Sequence, residues 1–408
     1  MENKLLNTMS IFDSYERRFA RVRAEKQEVF STEQEHRFEI LSNVKRMLGI
    51  KDELVPTVHD WTVLDVKNYD GYSVSTIRYQ TWENCYVSAT LTLPDGEEKV
   101  PLICAVNGHN KNSRHADGLR LMHHRLAKMG IATVTPDNIG QGDRAFMGHT
   151  YAYEPFYHGL TLQGLIVMET LSLIRYMKKH PRIDSEKIGA AGNSGGGTLT
   201  LFLAALAPEL SAICSSGYPS EFGYILSKER RHCACNLLPG CAGKVDMWEI
   251  YSLFAPKPLL LEQGLFDDLI PVDLFYRNNR KVRTIYSLYE KEENFKEYVS
   301  STRHPWDRED RKTIASFFAE VFGVEMKEFE EKEFVLDEPV VVEFSEDALN
   351  TKSIAEKLSG NKTPDGIMLE DIFPPKIEAG CEDFTKDIGR GDLVRVFAQM
   401  ECALSKEW

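Results

Sequence analysis

Hydrophobic positions follow two different periods along the chain. From about Leu5 to Leu48, apolar side chains recur at helical spacing among many charged ones, which predicts surface helices leading into the fold. From Trp61 the pattern becomes an alternation in WTVLDVKNYDGYSVSTIRY and CYVSATLTLP, with YDG as the turn signal between the first two strands. These segments predict antiparallel strands at the start of a sheet.

Beyond residue 100, short apolar runs alternate with helical stretches. The runs that predict buried strands are VPLICAVNG, IATVTPD, KIGAAGNS, LSAICSSGYP, KPLLLEQG and FKEYVSS. Helices are predicted near residues 116–129 and 161–179, and DREDRKTIASFFAEVFG closes the series. Strands that are apolar on both faces and joined by helices predict an α/β fold: a mostly parallel, doubly wound sheet with helices on both faces.

After Gly323 the chain changes character. EMKEFEEKEF is acidic and predicts a solvated helix or linker, and one strand-like segment, PVVVEF, follows it. We therefore divide the chain into an N-terminal helical extension (residues 1–60), an α/β domain (61–323) and a C-terminal extension (324–408). The last is either an appended packing element or a dimer contact.

Composition and charge mainly argue against two classes of partner, nucleic acids and membrane surfaces. A hydrophobic content of 42% is enough for a sizeable core, and a net charge of −13 repels phosphate backbones and anionic lipid. We expect no nucleic acid and no membrane surface as partner. No apolar signal region opens the chain and no apolar run reaches about 18 residues, so we expect a cytoplasmic protein whose eight cysteines stay reduced.

The segment GNSGG places Ser194 between a predicted buried strand and a predicted helix. It fits G-x-S-x-G in the strand–turn–helix context of a nucleophile elbow. The glycines leave room for one exposed hydroxyl, and the N–H of Gly195 at the start of the helix is a candidate oxyanion donor. The alternatives are a structural turn and a phosphate loop, although no Walker lysine follows and G-x-G-x-x-G is absent here.

A serine nucleophile needs an acid and a histidine downstream, in that order. His304 stands between the last predicted strand and the last helix, and Asp267 follows the preceding strand, so both are expected at the carboxyl edge of the sheet. Asp268 is the adjacent competitor for the role of the acid, and Glu221 is a more distant one. The sequence therefore predicts a catalytic triad of Ser194, Asp267 and His304.

Two loops offer further contacts to a substrate. In VNGHNKNSRH the backbone N–H of His109 or of Asn110 is a candidate second oxyanion donor. The loop after Asp137 is rich in aromatics, and these rings suit a substrate wall and plain core packing equally well. The candidate substrate-binding residues are Tyr151, Tyr153, Phe156 and Tyr157. Asp143 and Arg144 in the same loop are expected to pair with each other.

One cysteine cluster, HCACNLLPGC, raises the question of a metal. Its candidate ligands are His232, Cys233, Cys235 and Cys241. Cys-x-Cys without a matching second pair is a poor zinc pattern, so we expect a cap-like loop beside the active site and neither metal nor cofactor.

Together these residues resemble the α/β-hydrolase superfamily. NGHNKN, PDNIGQGDR, IGAAGNSGGGTLTLFLAAL, HCACNLLPG and APKPLLLEQGLFDDLIP look like its dienelactone-hydrolase and acetyl-xylan-esterase-like branch, over about Trp61 to Gly323. The resemblance implies an α/β-hydrolase fold and hydrolysis of carboxylic esters, commonly acetyl or other short acyl esters on carbohydrates or small molecules, through an acyl-enzyme. Dienelactone hydrolases use cysteine where this chain has Ser194, and NGHN replaces the commoner HGHG.

The expected function is therefore that of a serine esterase acting on a small-molecule or carbohydrate ester. A serine peptidase or amidase on the same fold is the first alternative, and a non-catalytic hydrolase-like binding protein is the second. The sequence leaves the choice between a monomer and a homo-oligomer open.

Overall fold

One mixed sheet organises the described part of the chain. The computed structural model describes residues 15–106, 108–227, 233–360 and 399–404, and the structural statements below refer to these residues. The strands are β1 (His59–Tyr69), β2 (Tyr72–Gln80), β3 (Tyr86–Pro94), β4 (Val100–Val106), β5 (Ala132–Pro136), β6 (Ile183–Asn193), β7 (Ala212–Ser216), β8 (Leu259–Gly264) and β9 (Phe295–Ser300). Their order across the sheet is β1-β2-β3-β5-β4-β6-β7-β8-β9.

The first three strands are antiparallel and the others run parallel. Tyr69 pairs with Tyr72 across the predicted YDG turn, and β3 then joins β5 in antiparallel register. From β5 to β9 every pairing is parallel. The predicted α/β architecture, with its antiparallel entry into a parallel sheet, is confirmed.

Helices cover both faces of this sheet. They are α1 (Gln34–Leu48), α2 (Asp117–Lys128), α3 (Leu162–Met177), α4 (Gly195–Leu206), α5 (Phe222–Ser227), α6 (Met247–Ser252), α7 (Val272–Leu288), α8 (Arg308–Phe322) and α9 (Thr351–Ser359). Residues 15–25 and 399–404 are also helical. No helix among the described residues combines the length and the apolar character needed to span a bilayer.

The side chains of β4 show why its sequence is apolar throughout. Leu102 and Cys104 belong to the core cluster that contains Leu165 of α3, whereas Ile103 lies in the cluster on the other face with Phe318 of α8. Successive side chains of a strand point to opposite faces, so a strand covered on both faces is apolar at every position. The strands β5, β7 and β8 are buried along their whole length for the same reason.

The predicted strand in PVVVEF is wrong. Residues 339–344 have no regular secondary structure and lie outside the sheet. Side chains of the α/β domain hold this segment instead: the Val342 N–H donates to Asp143 at 2.9 Å, and Arg114 donates to the carbonyl oxygen of Val340 at 2.8 Å. An apolar run forms a strand only where its backbone pairs with a sheet, and here charged side chains take up backbone groups of the segment instead.

The acidic run before this segment is anchored rather than fully solvated. Glu331 is buried and pairs with Arg125 at 3.1 Å and with Arg311 of α8. A carboxylate between two arginines can be buried because its charge is compensated. The expectation of a plain solvated linker therefore fails at Glu331, and the C-terminal extension packs against the α/β domain.

The expected pair between Asp143 and Arg144 is also wrong. The Arg144 guanidinium is fully buried and donates to both carboxylate oxygens of Glu169 on α3, at 2.8 and 2.9 Å. Asp143 pairs with Arg114 and His115 instead. Successive side chains of the short 3₁₀ turn Gly142–Met147 leave it in different directions, so sequence neighbours find different partners.

Candidate active site

Ser194 occupies the turn between β6 and α4. Its backbone has φ 56° and ψ −115°, a conformation that L-residues rarely adopt. A hydrogen bond of 2.9 Å from its N–H to the carbonyl oxygen of Ser216 on β7 holds the turn. A Cβ atom at Gly192 would lie only 2.1 Å from the carbonyl oxygen of Gly196, so strand and helix meet this closely only with glycine. The predicted strand–turn–helix context is present.

Asp267 and His304 are in direct contact although 37 residues separate them. His304 donates from Nδ1 to Asp267 Oδ2 at 2.7 Å. Gln263 of β8 donates to the same oxygen at 2.8 Å, and the N–H groups of Leu269 and Ile270 donate to Oδ1 at 2.7 and 3.2 Å. Both carboxylate oxygens are therefore fully engaged, and the imidazole is held in one orientation.

The two competing acids lie elsewhere. Asp268 is exposed, and Glu221 pairs with Arg23 and Arg277 at 3.3 and 3.5 Å. Their positions leave Asp267 as the carboxylate that contacts His304.

The pKa of Asp267 lies below its usual value. Burial alone would raise it, but the hydrogen bond and charge of His304, together with the N–H groups of Leu269 and Ile270, outweigh the burial. The carboxylate is therefore ionised at neutral pH. An ionised carboxylate on Nδ1 leaves Nε2 as the lone-pair atom of the ring and stabilises positive charge on the imidazole.

Ser194 and His304 line one pocket of about 540 Å³ at the carboxyl edge of the sheet. The Nε2 atom of His304 is buried and has no hydrogen-bond partner among the described residues. Asn193 donates from its side chain to the carbonyl oxygen of Pro305, which ties the His304 loop to the residue before Ser194. A Cβ at Gly217 would lie 3.0 Å from Cε1 of His304, so the imidazole ring packs over the end of β7.

The loop after β4 approaches the serine from the other side. A Cβ at Gly108 would lie 2.7 Å from the Cβ of Ser194 and 3.4 Å from the backbone nitrogen of Gly195. The His109 ring lies over Gly195, since a Cβ there would be 2.8 Å from Nδ1. His109 lines the pocket, whereas Asn110 is exposed and accepts the N–H of Asn112 with its own side chain at 2.8 Å. Of the two residues proposed to carry the second oxyanion donor, His109 is the one that lines the pocket.

The four aromatic candidates separate in the structure. Tyr151 lines the pocket, and Tyr153 packs edge-on against it with ring centroids 6.4 Å apart while also contacting the core. Phe156 is fully buried beside Leu237, so its predicted substrate contact is wrong: the 3₁₀ turn Glu154–His158 points this ring inward. Tyr157 is exposed and is not among the residues that line this pocket.

Sequence reasoning missed half of the pocket wall. The lining residues that it did not name are Thr150, Thr198, Gly217, Tyr218, Ile225, Leu269 and Ile270, whereas Cys233 and Asn236 belong to the loop that was expected beside the active site. For these residues only chain position offers a signal: Tyr218 and Leu269 follow the carboxyl ends of β7 and β8, at the edge of the sheet where α/β folds bind ligands.

One metal-ligand cluster adjoins the pocket, although none was expected from the sequence. His109, His149, Cys233 and Cys235 place one ligand atom each within 4.8 Å of one another. The candidate ligands that the sequence offered form a different set: Cys241 is not in this cluster, and His232 lies outside the described residues. Burial lowers the pKa of His149, which keeps this imidazole neutral although its bond to Ile139 opposes the shift. The two histidines come from distant loops, so Cys-x-Cys spacing alone gave no sign of them.

A buried carboxyl group lies beneath the elbow. Glu262 of β8 accepts a hydrogen bond from Ser216, the residue whose carbonyl oxygen anchors the turn at Ser194. Burial, followed by the charge of Asp310, raises the pKa of Glu262 well above its usual value. The folded protein therefore binds this proton more tightly than the unfolded chain does, and stability falls as the pH rises from the unfolded pKa through the folded one.

Glu262→Gln should flatten this dependence on pH. The amide is a neutral isostere, so between pH 5 and 8 the free energy of unfolding should fall less steeply than in the parent, by up to about 1.4 kcal/mol per pH unit. Urea unfolding at a series of pH values measures the slope. Glu297→Gln, at a partly exposed position of β9, is the matched control and should keep the parent slope. Equal slopes for the parent and Glu262→Gln would show that Glu262 does not hold a proton in the folded state.

Known proteins match both the sequence and the fold. Residues 50–231 match the acetyl xylan esterase (AXE1) family model. The provisionally assigned hydrolase YtaP of Bacillus subtilis (strain 168) is 25% identical over 251 residues, which cover 55% of this chain and 84% of YtaP.

Two solved structures share the architecture. Methylesterase BT1017 superposes with a TM-score of 0.65 at 23% identity, covering 80% of this chain and 72% of its own. A glucuronoyl esterase from Solibacter usitatus has a TM-score of 0.56 at 13% identity, with coverages of 71% and 93%. At these identities the likeness establishes the fold. That fold is the α/β-hydrolase fold, and over residues 50–231 the sequence is similar to the acetyl xylan esterase family, which indicates a carboxylic ester hydrolase.

Proposed function

We propose that this protein is a serine esterase that removes acetyl or other short acyl groups, with carbohydrate esters as the substrate class. The observation that carries the proposal is the 2.7 Å bond from His304 Nδ1 to Asp267, together with an Nε2 atom that has no hydrogen-bond partner in the described part of the chain and a pocket that Ser194 also lines. A base in this state can accept the proton of a serine hydroxyl.

In the proposed reaction, His304 Nε2 takes the proton from Ser194 as its oxygen attacks the ester carbonyl. The imidazolium that forms is stabilised by ionised Asp267, and it then protonates the departing alcohol. Water attacks the resulting acyl-enzyme, again with His304 as the base, and releases the carboxylic acid. Every proton that leaves Ser194 or water returns to a product or to the serine.

Backbone N–H groups stabilise the tetrahedral intermediate in this proposal. The N–H of Gly195 at the start of α4 is one donor, and the loop of Gly108 and His109 supplies the other. The close approach of Gly108 to Ser194 and to the nitrogen of Gly195 supports this pairing, because both donors then face one oxyanion.

The family match supports the choice of substrate class. Acetyl xylan esterase is the description of the matched family, and the two structural relatives are named a methylesterase and a glucuronoyl esterase. A pocket of about 540 Å³ with Thr150, Tyr151 and Thr198 in its wall offers hydroxyl groups beside apolar surface, a mixture that suits a sugar.

Activity-based labelling and matched substrates test the proposal together. A fluorophosphonate probe should label Ser194, as located by peptide mass spectrometry, and a chromogenic acetyl ester should be hydrolysed much faster than the anilide of the same acid. Unlabelled, inactive protein would favour the binding-protein alternative, and equal rates on ester and anilide would favour a peptidase or amidase. Acetylated xylan and its de-esterified form, compared by acetate release, test the carbohydrate substrate.

A further inference from the structure

Four potential metal ligands from three separate loops meet beside the pocket. His109 belongs to the loop after β4, His149 to the loop after β5, and Cys233 and Cys235 to the segment between α5 and α6. The Nε2 atom of His109 lies 2.9 Å from Nε2 of His149, 2.9 Å from the sulfur of Cys233 and 3.2 Å from that of Cys235. Of these four residues, only the two cysteines are close to each other in the sequence.

A single hydrogen bond between the two imidazoles accounts for only part of this convergence. His149 donates from Nδ1 to the carbonyl oxygen of Ile139 at 2.7 Å, so its neutral ring turns a lone pair at Nε2 toward the cluster. His109 Nε2 can carry one proton, yet it faces the other imidazole and two sulfurs. Several lone pairs therefore converge on one point, which is the arrangement that a bound cation satisfies.

The residues around the cluster are arranged to support thiolates. The Tyr218 hydroxyl donates to the side-chain oxygen of Asn236 at 3.0 Å, which turns the Asn236 amide nitrogen toward the two sulfurs at 3.7 and 3.6 Å. Donors to the sulfurs and a carbonyl acceptor behind a histidine are what surrounds metal ligands in proteins. The Ala234 N–H also donates to the carbonyl oxygen of Thr150 at 3.2 Å, which joins two of the loops next to the cluster.

We propose that His109, His149, Cys233 and Cys235 bind one zinc ion as a closed, four-coordinate site. Two thiolates and two imidazoles favour a tetrahedral, thiophilic metal, and zinc is the common one with this ligand set. Binding releases the two thiol protons to solvent and transfers no electrons. With four protein ligands the ion has no open position for substrate, so its role is structural.

A disulfide is the alternative state of the same two cysteines. The structure pairs Cys233 with Cys235 in this way. The two states exclude each other, because zinc needs both thiolates. The convergence of two histidines on the sulfurs favours the metal, since a disulfide makes use of neither imidazole whereas a metal ion binds all four side chains.

A second cluster shows by contrast what a satisfied group of ligands looks like. His115, Asp137 and Asp143 also lie within 4.8 Å of one another, but the Arg114 guanidinium contacts both carboxylates, at 3.0 Å in the case of Asp137. A cation is already supplied there by the protein itself. The His109 cluster contains no such cationic side chain among the described residues.

Zinc at this position would hold the His109 loop against the elbow. The His109 ring packs over Gly195, so fixing its Nε2 also fixes the backbone next to Ser194. This consequence rests on the proposed function, because it makes zinc a positioning element for the oxyanion donors. The metal site itself does not depend on that function.

Metal content tests the site directly. Full-length protein purified with a reductant and without chelators should contain about one zinc per chain by elemental mass spectrometry. Cys233→Ser and His149→Ala should each lower the zinc content at least about tenfold, because each removes one of four ligands. Cys241→Ala, a buried cysteine of the same segment outside the cluster, is the matched control and should keep the metal.

A second measurement covers variants that fold poorly. Parent protein exchanged into cobalt should show thiolate-to-cobalt absorption, and circular dichroism should show that Cys233→Ser is folded when this absorption is lost.

Parent protein that contains less than about a tenth of an equivalent of zinc, or that yields only six titratable thiols after denaturation without reductant, would overturn the proposal. Metal content and fluorophosphonate labelling fail independently: labelled protein without zinc refutes the metal site alone, and zinc-bound protein without label refutes the esterase alone.

Discussion

Ser194→Ala should lower kcat/KM for a chromogenic acetyl ester by about 10⁴-fold or more while the protein stays folded. The change removes one oxygen atom and keeps the Cβ that packs near Gly108. In the proposed reaction no acyl-enzyme forms without the hydroxyl, and what is left is catalysis by the oxyanion donors alone. Initial rates measure the loss, and thermal unfolding checks the fold.

Ser211→Ala is the matched control for this variant. Ser211 precedes β7 at the opposite edge of the sheet, where its hydroxyl donates to the carbonyl oxygen of Ile188 at 3.0 Å. The same chemical change there should leave kcat/KM within about twofold of the parent and cost stability by about 1 kcal/mol. If Ser194→Ala kept more than a tenth of the parent rate, the nucleophile would have to be another group.

Glu169→Gln should be strongly destabilising, by about 3–5 kcal/mol in the free energy of unfolding. Glu169 holds the buried Arg144 through two hydrogen bonds and also accepts one from Thr81 at 2.9 Å. The charge of Glu169 contributes to the raised pKa of Arg144, so the guanidinium stays charged at every ordinary pH. The amide variant therefore leaves a positive charge in the core without its counter-ion. Urea unfolding at constant pH measures the effect.

Two comparison variants isolate the cause of this loss. Glu209→Gln removes the carboxylate that pairs with the exposed Arg175 at 3.0 Å, and it should cost less than about 1 kcal/mol. The double variant Arg144→Met with Glu169→Met removes both charges and should recover much of the lost stability, because no unpaired charge remains. A cost for Glu169→Gln no larger than that for Glu209→Gln would contradict this account of the pair.

Much of the fold could be predicted because its signals are local. The YDG turn, the runs apolar on both faces and the Gly-rich strand-to-helix turn each depend on residues within a few positions of one another. Backbone conformation responds to such near neighbours, and Ser194 is found at φ 56° in the turn where the glycine spacing placed it. The prediction failed at PVVVEF, where side chains of Asp143 and Arg114 bind the backbone of the segment in place of a neighbouring strand.

For the candidate site, the sequence placed the serine, the acid and the histidine at the ends of particular strands. It favoured Asp267 as the acid but left Asp268 and Glu221 as competitors, because adjacent loop residues point in different directions and only the folded loop shows which one faces the histidine. The 2.7 Å contact of Asp267 with His304 makes that selection. In the same way, Arg144 finds Glu169 on α3 rather than its neighbour Asp143.

By itself, then, the sequence determined the order of strands and helices, the elbow that presents Ser194 and the class of chemistry expected there. Only the tertiary structure decided which side chains meet: the acid beside His304, the single predicted aromatic ring, Tyr151, that lines the pocket, and the histidines that join Cys233 and Cys235. The physical reason is the range of the forces. Secondary structure follows from contacts a few residues apart. A site at the edge of a sheet is instead assembled by packing loops that are distant in the chain, with separations from 37 residues for Asp267 and His304 to 124 residues for His109 and Cys233.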